Sequence, residues 1–262
     1  PSGASGFPNE YSLAFDGVDD ILITTKDASI MPTDNLTVGC WIKPSTWAFP
    51  DNGQYYYPFG CLKSGGWGIY FLNNYNGTVT TFSSIIRVSD TGSGAGYLQP
   101  SAGTGFSSTL RALTGFHYIA LTYDKATGVA SLSLDGVEKG TANAAAGADI
   151  VYSGSNVNLM FGADANTDTT GQNFFGGNID ECSVWNKALN SAELVAVYNS
   201  GVPIDLLTDA GDYASSSNLQ GWWRNGDTEG TSVYPTIEDY SSNSNDGTMT
   251  NMDSGDIVTV VP

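Results

Sequence analysis

The sequence predicts an all-β fold of two packed antiparallel sheets, and three observations carry that prediction. Apolar and polar residues alternate with period two through many short runs. Clusters of Gly, Asp and Asn separate those runs, as turns require. The 262 residues include 32 glycines and 10 prolines, which favours turns over long helices. This length suits one large all-β domain, and 40% apolar residues are enough to bury a sizeable core.

Parity places the strands in order. Tyr11, Leu13 and Phe15 fall on one face of a strand, and Leu36, Val38, Cys40 and Ile42 on one face of the next. Trp67 to Leu72, Val79 to Val88, Phe116 to Tyr123, Val129 to Leu134 and Val157 to Phe161 continue the series. Asp135-Gly136 follows the alternating Ala130, Leu132 and Leu134 and predicts a tight hairpin, because both residues tolerate positive φ. Ile179 to Trp185, Gly221 to Arg224 and Ile257 to Val261 complete the strands.

One short helix near 190–200 interrupts them. Asn190 caps it, Glu193 completes a capping box, and Leu194, Val197 and Tyr198 supply an apolar stripe. Gly201 offers a left-handed end, with Pro203 just beyond. At ten residues or fewer, such a helix needs a sheet to pack on. Thr208 to Asn218 is polar and small, which reads as a linker or a surface crossing.

Charge narrows the function classes. With 27 acidic against 9 basic side chains, the net charge is −18, which argues against nucleic-acid binding and disfavours anionic membrane surfaces. No apolar run is long enough for membrane insertion, and no secretory leader pattern is present. The start at Pro1, without methionine, reads as a processed form or a fragment. Low lysine with abundant Asp and Asn suits a saline exterior. Cys40, Cys61 and Cys182 make neither a disulfide framework nor a CxxC metal site, and Cys40 and Cys182 have the parity of buried thiols. The sequons Asn35-Leu-Thr37 and Asn76-Gly-Thr78 carry no weight in a chain this rich in Asn and Thr.

Five motifs then resemble one family in its own order. Ser12-Leu-Ala-Phe-Asp-Gly-Val-Asp-Asp20, Leu36-Thr-Val-Gly-Cys-Trp-Ile-Lys-Pro44 and Phe116-His-Tyr-Ile-Ala-Leu-Thr-Tyr-Asp124 look like successive strands of laminin G-like domains. Leu132-Ser-Leu-Asp-Gly-Val-Glu-Lys-Gly140 resembles the next hairpin, and Phe175 to Leu189 the closing strand. The resemblance covers roughly residues 11 to 201. It implies a concanavalin A-like jelly roll, a sandwich of two curved antiparallel sheets in the superfamily of lectins and glucanases. Gly221 to Asp227 and Asp239 to Met249 resemble the strands that usually open such domains. Either 219–262 supplies them in permuted order within a single 1–262 domain, or they begin a further repeat. Permutation is the expectation, because unpaired strands bearing Trp222 and Trp223 would leave a sticky edge. The arrangement is similar to surface and tail-associated proteins of marine bacteriophages.

Glycosidases need paired carboxylates, yet no two of Glu10, Glu138, Glu181, Glu193, Glu229 and Glu238 share a strand, and adjacent Asp180-Glu181 should face opposite sides. An enzyme is therefore not expected. His117, the only histidine, sits among apolar residues and reads as structural. Calcium needs only oxygen ligands. Asp180 has the parity of Cys182 and Val184, so its carboxylate points toward an apolar face. The resemblance implies a structural calcium held by Asp180 with Asp16, the Gly17 carbonyl, Asp19 and Asp20. The alternative is that Asp16 and Asp19 merely cap a turn.

Two further stretches are candidates for a saccharide, and the first of them for a calcium as well. Asp164, Asn166, Asp168, Thr170 and Gln172 alternate oxygens, but the sixth place lacks the glycine of an EF-hand, leaving either a solvated loop or a ligand-binding rim. Trp47, Phe49, Tyr55, Tyr56, Tyr57 and Phe59 crowd the stretch from Ser45 to Gly60, which Pro50, Asp51, Asn52 and Gly53 mark as a loop. Aromatics in a loop cannot all enter the core, so they either meet a ligand or pack on the domain or a neighbouring subunit. The expected function is a non-catalytic, calcium-stabilised glycan-binding or adhesion module, extracellular or on a virion. The alternative is a structural virion protein, or one that assembles with copies of itself.

Overall fold

A computed structural model describes residues 7–49, 53–62, 65–73, 80–152, 158–227 and 234–262. Val79, Val157, Glu229, the Asn76 sequon and the Pro50–Asn52 part of the aromatic stretch lie outside the described residues. The strands are β1 (Ser12–Asp16), β2 (Ile21–Thr24), β3 (Leu36–Pro44), β4 (Tyr55–Gly60), β5 (Trp67–Asn73), β6 (Thr80–Val88) and β7 (Gly96–Leu98). After the five-residue helix α1 (Ser107–Arg111) come β8 (His117–Asp124), β9 (Val129–Leu134), β10 (Val137–Asn143) and β11 (Leu159–Phe161). The short β12 (Asp164–Ala165) and β13 (Gly171–Gln172) precede the long β14 (Gly176–Trp185) and helix α2 (Ser191–Tyr198). β15 (Leu219–Trp223), β16 (Thr236–Ile237), β17 (Gly247–Thr250) and β18 (Ile257–Val258) end the chain.

Two eight-stranded antiparallel sheets face each other as a concanavalin A-like jelly roll. The first runs β10-β9-β8-β3-β14-β1-β18, with β15 beside β14; the second runs β16-β17-β2-β11-β4-β5-β6-β7. Leu13, Phe15, Val38, Cys40, Ile42, Phe59, Ile69, Phe71, Phe161 and Trp223 fill the space between them. The last strands are built into both sheets: β15 pairs with β14, β18 with β1, and β17 with β2. β14 serves two partners end to end on one edge, β1 along Gly176–Ile179 and β15 along Cys182–Trp185.

Turn chemistry behaves as the residues dictate. Asp135 and Gly136 take φ of 54° and 73°, the left-handed pair that matches hairpin twist. Asn190 Oδ1 accepts from Glu193 N while Glu193 Oε2 accepts from Asn190 N, so both halves of the capping box form. The helix stops earlier than Gly201, because Asn199 adopts the left-handed cap at φ 41°. Asparagine tolerates that region through its short polar side chain. α1 had no sequence signal, being too short to show a period.

The outer face of the first sheet is covered. Trp41, Tyr118, Trp185 and Trp222 pack there under Leu194 and Val197 of α2. Thr208–Asn218 crosses the same face and is no free linker: Tyr213 is fully buried, and its hydroxyl accepts from Trp185 Nε1 at 3.0 Å. Gly39 is required here, since a Cβ would stand 2.2 Å from the Tyr118 hydroxyl.

Candidate functional site

The outer face of the second sheet carries a different surface. Tyr56, Ile69 and Phe71 point into the core, so the period of two sends Tyr55, Tyr57 and Tyr70 outward, and a register shift between Tyr56 and Phe59 returns Phe59 to the core. Their rings form one group, with centroids 5.3 Å apart for Tyr55–Tyr70 and Tyr57–Tyr70 and 6.3 Å for Tyr55–Tyr57. Tyr55 is 38% exposed and lies over the other two, which are buried. Burial, then the Asp164 carboxylate and the neighbouring phenols, push the Tyr57 hydroxyl far above its ordinary range. It therefore stays neutral.

The segment from Ser45 to Gly60 is thus less of a loop than its composition implies. Its second half is β4, and Trp47 and Phe49 close the end of the core against Phe71. Trp47, Phe49, Tyr57 and Phe59 are buried, Tyr56 is half-buried against the core, and Tyr55 alone of the six is exposed. A strand edge with alternate rings turned inward absorbs aromatics that a free loop would leave in water.

The acidic stretch forms a hairpin on the same open face. Asp164 pairs with Gln172 in register, and Gln172 Nε2 donates to Asp164 Oδ2 at 3.1 Å. Ala165 packs on Met160 of the adjacent β11. Asn166 N donates to the Thr170 carbonyl at the turn, and the residue is exposed. Asp168 is exposed and lies 3.7 Å from Lys26 Nζ. Asn173 joins hairpin to tyrosines: its carbonyl accepts from Tyr57 N at 3.1 Å, and its Oδ1 accepts from Gln54 Nε2 at 3.1 Å. Two stretches more than a hundred residues apart in sequence thus meet beside Tyr55. Gln54, Asn173 and Tyr70 belong to this surface and were missed in the sequence; only the outward parity of Tyr70 could have marked it.

The proposed calcium ligands do not all come together. Asp16, Asp19 and Asp20 place carboxylate oxygens within 4.8 Å of one another. Asp16 Oδ1 accepts from Val18 N and Asp19 N, Asp20 Oδ2 accepts from Asp16 N, and Gly17 turns at φ 79° against Gly176. Asp180 is elsewhere. Asp16 pairs with Gly176, four residues along β14 from Asp180, a rise of about 13 Å. A β-bulge also reverses its side: Glu181 sits at φ 48°, and register shifts between Asp180 and Ser183. Asp180 therefore opposes Trp41 on the outer face, while Cys182 and Val184 remain in the core. The same bulge sends Asp180 and Glu181 to one side rather than to opposite faces.

Asp180 is fully buried, accepting from Asn9 Nδ2 and Glu181 N. Glu181 accepts from Trp222 Nε1 at 2.6 Å and from Arg224 Nε at 3.2 Å. Burial outweighs these partners and pushes both carboxyls above their ordinary range. His117 bonds Asp135 at 2.7 Å and the Thr114 carbonyl at 3.2 Å, and packs edge-on to Trp47. Both its ring nitrogens are engaged in holding the fold.

The three-aspartate turn fits a hard cation in kind. Its donors are carboxylate oxygens, and among the described residues none of the three makes an ion pair. Three carboxylates fall short of the six to eight oxygens calcium takes, so carbonyls or water would complete the shell. Burial, followed by repulsion from Asp16, Asp256 and Asp19, raises Asp20 to about 6 against the pull of its Asp16 N–H bond. A carboxyl raised on folding binds more protons native than unfolded, so stability falls as pH climbs from about 4 to about 6. In chelator, the melting temperature is expected to drop across that window more steeply for the wild type than for Asp20→Asn. Equal slopes would remove Asp20 as the cause.

A family model described as the Concanavalin A-like lectin/glucanases superfamily matches residues 16–195. Among curated proteins none matches. Among solved structures, a "putative carbohydrate binding protein" from Bacteroides ovatus ATCC 8483 superposes at TM-score 0.63 and 16% identity, over 97% of this chain and 61% of that one. The chain thus spans about three fifths of that structure. The Ruminococcus gnavus IT-sialidase CBM40 bound to α2,3-sialyllactose gives 0.49 and 18%, over 74% and 97%. The SAP-like pentraxin of Limulus polyphemus gives 0.48 and 14%, over 74% and 84%. At these identities the likeness is one of fold. Among the described residues, no helix is long and apolar enough to cross a membrane.

Proposed function

Because the chain belongs to the concanavalin A-like lectin/glucanase superfamily, we propose that it is a non-catalytic carbohydrate-binding module that holds a glycan on the open face of its second sheet. One observation carries this reading. The exposed Tyr55 ring stands beside a hairpin and loop that carry the Gln54, Gln172 and Asn173 amides, polar groups of the kind that bond sugar hydroxyls. A flat ring covers the apolar face of a pyranose, and amides read its hydroxyls. Absence of catalysis is supported by the glutamates near the sheets: Glu181 is locked by Trp222 and Arg224, and Glu193 by Lys187 and Ser215.

Calcium at Asp16, Asp19 and Asp20 belongs to the same reading, as a stabiliser of the turn. Calcium at a hundredfold over its Kd is expected to stabilise the fold by about 2.7 kcal/mol, and Asp20→Asn to abolish most of that gain. An unchanged melting temperature would discard the ion. The net charge of −18 supports a place outside the cell or on a virion surface.

A glycan array with and without calcium tests binding. Tyr55→Ala is expected to weaken any hit at least tenfold, about 1.4 kcal/mol, while Tyr55→Phe, which keeps the ring over Tyr57 and Tyr70, leaves the melting temperature unchanged. Equal affinity in Tyr55→Ala contradicts the site. A second reading, assembly of copies or with virion proteins, has its own observation. Val137 and Val195 are each more than half exposed where the Asp135–Gly136 turn meets α2. Light scattering of the eluted protein separates the two, since a monomer at high concentration removes self-assembly.

A further inference from the structure

The placement of positive charge specifies the class of glycan, on the premise that the tyrosine face is the carbohydrate site. We infer that its ligand is an uncharged glycan, and that sialylated, uronic or sulfated glycans are rejected. Proteins that capture a sugar carboxylate or sulfate do so with an available arginine, whose fork matches the anion, or with a cluster of lysines. This chain has nine basic side chains in all, and eight of them are described.

Five of the eight are engaged away from the open face of the second sheet. Arg224 is buried between Glu181 and Asp227 on the first sheet. Lys187 bonds Glu193 there, and Lys125 bridges Asp34 and Asp149. Lys43 continues the outward parity of Trp41 on the first sheet and lies over Phe116. Lys139 lies over the Phe106 ring.

The remaining three come nearer. Arg111 donates to the Ala48 carbonyl at the closed end of the core. Arg87 shares the open face but stacks over Tyr97, and it stands four residues along β6 from Ser83, the partner of Tyr70. That is about 13 Å along the backbone, and the guanidinium is turned onto the Tyr97 ring of β7, on the side of β6 away from β5. Lys26 lies at the hairpin, where Asp168 faces it at 3.7 Å. The ninth, Lys63, lies outside the described residues. Against these stand Asp164, buried beneath the tyrosines' edge, Asp168 on the hairpin, and the field of 18 excess negative charges. A ligand carboxylate would lose its water, meet no guanidinium fork and face like charge.

The test is an array of matched triplets, in which each neutral glycan is printed with its sialylated and its sulfated derivative. Hits are followed by calorimetry at 0.05 and 0.5 M NaCl. The expected result is binding of neutral members at least tenfold tighter than their anionic derivatives, changing less than about twofold with salt, because stacking and neutral hydrogen bonds are little screened. Neutral binding should survive Tyr55→Phe and fail in Tyr55→Ala. Tighter binding of the sialylated or sulfated member overturns this inference and leaves the carbohydrate reading standing. Binding to no triplet overturns the carbohydrate reading, and the ligand class falls with it.

Discussion

Replacing Arg224 with methionine is expected to destabilise the fold by about 3–5 kcal/mol, the loss seen when one partner of a buried ion pair is removed. Arg224 is 4% exposed and faces Glu181 Oε1 and Asp227 Oδ2, each at 3.2 Å. It also donates to the Pro8 carbonyl and carries the Phe7 ring 4.1 Å above its guanidinium. Asp227 Oδ1 in turn accepts from the backbone N–H groups of Glu10 and Tyr11. One cation thus balances two buried carboxylates and ties the first described residues to the first sheet. Methionine preserves the volume and removes the charge, so Glu181 and Asp227 must be buried uncompensated or protonated. Glu181, already raised to about 7 with Arg224 in place, and Asp227, also raised, then rise further, so the deficit is largest above pH 7 and narrows as pH falls through 7. Denaturant unfolding at about pH 8.5 and about pH 5 reads both effects. A loss below about 1 kcal/mol, or a deficit independent of pH, contradicts the account. The double variant with Glu181→Gln should recover part of the loss.

Ending the chain at Asn218 is expected to abolish cooperative folding. The deletion removes β15 from β14, β18 from β1 and β17 from β2, so both sheets lose strands. It also removes Trp222 and Trp223, which are 1% and 0% exposed and belong to different clusters, one under α2 and one between the sheets. Each large aromatic is worth about 3–5 kcal/mol when truncated alone, comparable with the total stability of many domains. Loss of near-ultraviolet dichroism and of a sharp thermal transition is the expected readout. A truncated chain that melts cooperatively would show that residues 219–262 are an appendage rather than part of the sandwich.

The strand pattern was legible wherever a local rule decided it. Alternation placed Leu13, Val38, Ile119 and Leu132 in the core, and Asp135-Gly136 and the Asn190 capping box formed as their chemistry demands. What failed did so for a tertiary reason. The bulge at Glu181 inserts one residue into β14, and period-two reasoning inverts beyond such an insertion. Asp180 therefore lies on the outer face opposite Trp41, apart from the Asp16–Asp20 turn that its parity alone would not separate it from. Pro50, Asp51, Asn52 and Gly53 read as a loop, yet the aromatics after them pair with β5. Sequence composition cannot show that a neighbouring strand is waiting. The two halves of the candidate site were each legible, Tyr55 to Tyr57 by aromaticity and Asp164 to Gln172 by polarity. Their meeting was not, because it depends on β4 and β12 lying side by side in the folded sheet.

The central claim is that Tyr55 and the adjacent hairpin are where the glycan sits. It is tested most directly by following backbone amide resonances of the calcium-loaded protein while an array-identified oligosaccharide is titrated in. Saturable shifts confined to residues 54–57, 70 and 164–173 are the predicted result. Shifts centred on the cleft lined by Lys43, Trp47 and Arg111, or on the Val137–Val195 surface, with the tyrosine face unmoved, would contradict it.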